Sequence, residues 1–191
     1  MPYTPIRRDA LEKEILSFLE STCGTVDPHP GPQGCGIRHR TSLVLATSYN
    51  DQPRATPLEF FYEGFTIYIF GEPGGKIANL KRNPKVSAAI YEQPLDHSKK
   101  QRSLQLWGKA QLITIRNDEK TYREKAALWH IEEVAKKIMS PLLKGLSPEE
   151  RAKKIEKMIN ALTLIRIDPI RMVLRTYNPD FSSLQYEWKK K

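Results

Sequence analysis

The chain has 191 residues, 39% of them hydrophobic and 28% charged, which suits one soluble globular domain with a sizeable core. No apolar run approaches the roughly 20 residues of a spanning helix, and Met1 to Asp9 carries no secretory pattern, so a cytoplasmic protein without a membrane role is expected. The formal charge of +9 favours anionic partners, among them a phosphorylated cofactor, an acidic substrate or nucleic acid, and does not choose between them.

In chain order, Asp9 to Thr22 reads as an amphipathic helix. Asp9 and Glu12 have capping-box spacing, and Leu11, Ile15, Phe18 and Leu19 share one face. Gly24 to Gly36, rich in Gly and Pro, predicts a loop. Cys23, His29, Cys35 and His39 alternate through this region. Zinc accepts such ligands, but the spacings match no common finger, so ordinary thiols and no metal are expected.

Strands follow at Thr41 to Ser48, Arg54 to Tyr62 and Phe65 to Phe70, joined by turns at Tyr49-Asn50-Asp51-Gln52 and Glu63-Gly64. A short helix, Lys76 to Arg82, stops at Asn83-Pro84. Val86 to Tyr91 is a fourth strand, and Glu92 to Lys100 a polar loop. Leu104 to Ile115 is a fifth strand with a bulge or close approach at Gly108. Asp118 to Met139 predicts one long helix. Ser147-Pro148-Glu149-Glu150 opens another that runs to about Leu162. Leu164 to Ile167 and Ile170 to Tyr177 return to extended structure, and Lys189 to Lys191 form a frayed basic end.

Consecutive strands with tight turns argue for a mainly β fold with peripheral helices, antiparallel and closed towards a barrel. One domain, 1–191, is expected: an N-terminal helix and loop at 1–40, barrel strands at 41–116, a helical excursion at 117–162 and closing strands with a basic tail at 163–191.

The chemistry concentrates in two places. Arg54 lies on a strand with Thr56 on the same face, by the period of two, where a guanidinium can grip a phosphate. Pro57 donates no ladder hydrogen bond and marks an edge or bulge. Lys76 follows Gly74 and Gly75 at a helix start, where glycines let the backbone approach an anion. Two cations beside an apolar strand suit a molecule with a phosphate tail and a planar ring. The glycine segment looks like a nucleoside-triphosphate loop. However, its spacing is one residue short, and Ile77 stands where Ser or Thr would hold Mg²⁺. His97 and His130 read as solvated and structural. The aromatics Phe60, Phe61, Tyr62, Tyr68 and Trp107 read as core or interface, with a base-stacking platform as the alternative.

Together Thr41 to Thr47, Pro53 to Leu58, Ile67 to Phe70, Lys76 to Ser87 and Leu104 to Ala110 resemble the pyridoxamine 5′-phosphate oxidase-like family of FMN-binding split β-barrels. The resemblance implies a Greek-key split barrel and a homodimer with FMN at the subunit interface. It implies that Arg54 and Lys76, with Gly75, hold the phosphate, and that Ala55, Thr56, Pro57 and Leu58 run beside the ring. Ile69 and Phe70 would cover the ribityl region, and Gln105 would touch the ring or the interface. It further implies a flavin-dependent oxidoreductase acting on a small molecule, with NADH or NADPH as an electron donor. A flavin- or haem-binding barrel without turnover is the alternative, and a basic nucleic-acid-binding barrel a further one. The chain departs from true pyridoxamine phosphate oxidases at Glu59, at Gly75-Lys76 and in its C-terminus, which points away from vitamin B6 oxidation.

Overall fold

The computed structural model describes residues 2–26, 37–39, 41–92 and 98–191, with the backbone alone at 24–26 and 37–39. Helix α1 (Arg8–Thr22) buries Leu11, Ile15, Phe18 and Leu19, as their spacing predicts. The expected capping box does not form. Asp9 pairs with Arg7 at 3.3 Å, while Glu12 accepts from the Trp188 indole N–H at 2.8 Å and pairs with Arg8. A long-range partner has taken the carboxylate that local spacing assigned to the cap.

Strands β1 (Gly24–Val26) and β2 (Ile37–His39) pair antiparallel, which corrects the loop expected from Gly24 onward. Ladder bonds outweigh a weak strand propensity here. His29 and Cys35 lie outside the described residues, as does His97. Cys23, the first of the four, is buried.

Strands β3 (Leu43–Tyr49) and β4 (Gln52–Leu58) form a hairpin through Asn50 and Asp51. Both adopt left-handed φ values, 50° and 57°, which Asn and Asp tolerate in a two-residue turn. Strand β4 stops at Leu58 instead of reaching Tyr62, because fully buried Phe60 turns the chain into the core. Strands β5 (Phe61–Glu63) and β6 (Thr66–Gly71) form the next hairpin. Glu63 pairs with Thr66, so the turn is Gly64-Phe65, one residue later than expected. Gly64 supplies the positive φ of 55°.

Helix α2 (Gly75–Leu80) buries Ile77 and Leu80, and β7 (Lys85–Tyr91) and β8 (Gln101–Ile113) follow. The single helix expected over Asp118 to Met139 is two, α3 (Glu119–Leu128) and α4 (Ile131–Ile138). His130, at φ 52°, breaks it so that Trp129 can stack on Phe61 at 4.7 Å and 9°. A 3-10 turn at Ser140–Leu143 leads to α5 (Pro148–Ala161), whose Ser147–Glu150 capping box is present with both bonds. Strand β9 (Thr163–Tyr177) runs unbroken through Pro169, and β10 (Ser183–Lys189) closes the chain. The basic end is less frayed than expected: Lys189 pairs with Glu187, and the Lys190 N–H donates to Ile170 O at 3.0 Å.

The large sheet has eight antiparallel strands in the order β4-β3-β7-β8-β9-β6-β5, with β10 also on β9. It does not close into a complete barrel. The split lies along β9, whose first half pairs with β6 and whose second half pairs with β10, while β8 runs beside both. The register shifts at Trp107/Gly108, the expected close approach. A Cβ on Gly108 would lie 2.5 Å from Asp168 O.

The inner face holds the main core, in which α1 and α2 meet Leu43, Leu45, Ile67, Ile69, Leu104 and Ile165. The outer face is divided. Over β5, β6, the start of β9 and the end of β8, helices α3 and α4 build a second core with Tyr122, Trp129 and Ile131. Helix α5 and the 3-10 turn extend it into a third. Over β3, β4, β7 and the remainder of β8 and β9, the outer face has no helix on it among the described residues. No helix among them is long and apolar enough to cross a membrane.

Candidate functional site

Cross-strand pairing fixes which way β4 points its side chains. Thr47 lies opposite Arg54, Leu45 opposite Thr56 and Leu43 opposite Leu58. Leu43, Leu45 and Thr47 are buried on the inner face, so Arg54, Thr56 and Leu58 take that side. Ala55 and Pro57 lie on the outer side with Ala46 and Val44. Strand β4 is an edge of the sheet, as Pro57 predicts.

Helix α2 is fixed against the same hairpin. Asn79 Nδ2 donates to Thr47 Oγ1 at 3.2 Å, and Asn83 Nδ2 donates to Ser48 O at 3.1 Å. Burial of Ile77 and Leu80 completes the anchor. The loop Gly71 to Gly75 is thereby held beside the inner side of β4. A Cβ on Gly75 would lie 2.7 Å from the Arg54 guanidinium carbon, and one on Gly71 would lie 2.9 Å from Lys76 Cε. Lys76 Nζ donates to Glu72 O at 3.0 Å. Both cations therefore lie over one short loop. Neither forms an ion pair among the described residues, so the local positive charge is not neutralised.

Thr56 Oγ1 is buried with no hydrogen-bond partner among the described residues. Buried hydroxyls without partners are uncommon and mark a place where a further donor or acceptor belongs. Gly75 provides the second fit, since any larger residue would displace the guanidinium.

The other residues of the expected set fall in different places. Leu58 packs against the main core, and Ile69 is fully buried in it. The Phe70 ring lies 5.7 Å from Tyr122 and 6.3 Å from Trp129, under the helices, so its main chain alone faces the Gly71 loop. Gln105 is not brought to Arg54 at all. It is exposed on the outer face of β8, with β3 and β7 intervening before β4.

Sequence reasoning missed the Asn79–Thr47 clamp that orients α2. It also missed a groove of about 600 Å³ on the open outer face, where Val44, Ala89, Val173, Gln105, Ser103 and Arg175 meet. Alternation along each strand places these residues on one face. Only the register between β3, β7, β8 and β9 gathers them.

A sequence profile described as pyridoxamine 5′-phosphate oxidase matches residues 35–172. Among solved structures, PhzG from Burkholderia lata, in complex with tetrahydrophenazine-1-carboxylic acid, aligns with 98% of this chain and 88% of its own at 12% identity and a TM-score of 0.56. A conserved hypothetical protein from Mycobacterium tuberculosis, Rv2991, aligns with 99% of this chain and 90% of its own at 16% identity and a TM-score of 0.52. At these identities the likeness is one of fold. Over 48 residues, 25% of this chain, an uncharacterized protein of Rhizobium meliloti is 42% identical, and the match spans 32% of that protein.

Proposed function

The chain belongs to the pyridoxamine 5′-phosphate oxidase family, and from that premise we propose that it binds flavin mononucleotide and acts as a flavin-dependent oxidoreductase on a small molecule. The observation that carries this reading is the pair of cations, Arg54 and Lys76, drawn onto one glycine-bearing loop with no carboxylate paired to either among the described residues. A guanidinium fork and an ammonium suit the oxygens of a phosphate monoester. Thr56, with its unpartnered hydroxyl, and the main chain of Ala55, Pro57 and Leu58 on the edge strand would meet the polar rim of the ring. When bound, the flavin supplies the redox chemistry, and the chain supplies binding, orientation and the local field.

The proposal includes a second copy of the chain. Gln105 points outward from the open sheet face and would reach a ring beside Thr56 to Leu58 only from a partner. NADH or NADPH is the proposed electron donor.

The test is flavin retention. Arg54→Ala and Lys76→Ala should each weaken flavin mononucleotide binding by about 1.5–3 kcal/mol, the range of a charge-assisted hydrogen bond. Circular dichroism should remain unchanged, because both side chains lie outside the core clusters. A double variant that keeps wild-type flavin affinity removes the phosphate-clamp reading.

A further inference from the structure

Helices α4 and α5, joined by the 3-10 turn at Ser140–Leu143, pack through Ala135, Met139, Leu143 and Ile155. Beside that seam runs a groove of about 780 Å³, within the range of small-ligand sites. Its described lining residues include none of those at the two-cation loop or in the groove on the open sheet face.

One face of α5 forms the length of the groove, where Pro148, Arg151, Ala152, Ile155, Ile159 and Asn160 recur at helical spacing. At 1.5 Å per residue, the apolar part from Ala152 to Ile159 is about 10 Å long. Leu143 of the 3-10 turn adds to this floor.

The two ends differ in charge. Towards the end of α5, Lys136 pairs with Glu132 at 2.7 Å, and Arg123 pairs with Glu119 at 2.6 Å with Glu156 as a second carboxylate nearby. The Tyr122 hydroxyl, bonded to Ile159 O, fixes α3 and its Arg123 at that end. Cations there are matched by acids. Lys144 and Arg151 line the other end, and no carboxylate pairs with either among the described residues. Arg151 Nε donates to Leu146 O at 2.8 Å, which orients the guanidinium and leaves its terminal nitrogens for another acceptor. Lys154 Nζ donates to Leu142 O at 3.2 Å and holds the 3-10 turn, which leads into Lys144, against α5. An apolar floor with unmatched cations at one end only suits an amphipathic anion.

We propose that this groove binds an elongated amphipathic carboxylate, its head held by Arg151 and Lys144 and its chain laid along Ala152, Ile155 and Ile159. The site is separate from the two-cation loop and does not rest on the flavin reading.

The experiment is calorimetric titration of the full chain with octanoate and with its neutral counterpart octanamide. Wild type should bind one octanoate per chain, at least tenfold more tightly than octanamide. Lys144→Gln combined with Arg151→Gln should reduce that preference to under twofold. Ala152→Trp, at an exposed position on the floor, should fill the groove and weaken octanoate binding at least tenfold, with the urea midpoint unchanged. Should that variant fail to fold, the charge variant, made at two exposed side chains, decides the matter. Arg54→Ala should leave octanoate binding as it is. Equal affinity for acid and amide in the wild type overturns the proposal, as does a preference that survives the double charge variant. Several octanoates bound per chain overturn it as well, since that is surfactant adsorption. So does a folded Ala152→Trp that binds as wild type, or a loss of binding in Arg54→Ala, which would assign the acid to the two-cation loop.

Discussion

On one half of the outer sheet face, Phe61, Tyr68 and Leu164 lie under Trp129 and Tyr122, and none of the five is more than 7% exposed. On the other half Val44 is 40% exposed, and Gln105, Ala55 and Pro57 are open as well. The two halves belong to one continuous sheet and share β8 and β9. They differ in that residues 119–161 fold back over one of them. The inserted helices therefore complete a core, and they contact Phe70, next to Gly71 of the two-cation loop. The bare half holds the groove with Arg175. Of the two outer halves, the covered one carries a packed core among the described residues, and the open one leaves side chains such as Val44 and Gln105 exposed.

The strongest way to break this comparison is to exchange its consequences. Trp129→Ala removes a ring stacked on Phe61 and set against Tyr68 and Phe70, and should cost about 3–5 kcal/mol of unfolding free energy. Val44→Asp, on the open half, should stay within about 0.5 kcal/mol, as exposed substitutions usually do, and should instead lower the mass measured by light scattering. Urea unfolding of both variants decides the matter. Equal destabilisation would mean that the open half is also structural.

Two glycines sharpen it next. A methyl on Gly108 would meet backbone, Asp168 O at 2.5 Å, where the β8–β9 register shifts. Gly108→Ala should cost about 1–3 kcal/mol, the usual range for overpacking. The atoms nearest a methyl on Gly75 are those of the Arg54 guanidinium, the far end of a flexible side chain. Gly75→Ala should leave the unfolding midpoint unchanged and weaken flavin retention by displacing the guanidinium. A loss of stability at Gly75 matching that at Gly108 would contradict this assignment.

The sequence revealed the elements more readily than their partners. Periodicity found α1, β3, β7 and β8, and the capping box at Ser147 was correct because both of its members are local. The box proposed at Asp9 failed because Trp188, at the far end of the chain, draws off Glu12. The break at His130 was hidden for the same reason, since Trp129 leaves the helical path to stack on Phe61. At the candidate site, alternation placed Arg54 with Thr56, and the glycines marked the loop before Lys76. Their meeting depends on the Asn79–Thr47 bond and on the β3–β4 register. Arg175 carried no local signal, because what distinguishes it is that, among the described residues, no acid pairs with it as acids pair with Arg166 and Arg171 on the same strand.

The smallest effect tests how dry the covered half is. Tyr122 is 1% exposed, and its hydroxyl donates to Ile159 O at 2.6 Å, tying α3 to α5. Burial pushes the phenol up from 10.0 to about 12. The unfolded chain therefore loses this proton first, and the folded state holds more protons between those values. Stability contributed by Tyr122 is complete below pH 10 and declines as pH rises towards 12. Tyr122→Phe removes both the hydrogen bond, worth about 1 kcal/mol at neutral pH, and this titration. The gap between wild type and variant in urea unfolding should be largest at pH 7 and should narrow steadily above pH 10. A gap that stays constant to pH 11 would mean that water reaches the phenol, and that the helices cover this half of the sheet without sealing it.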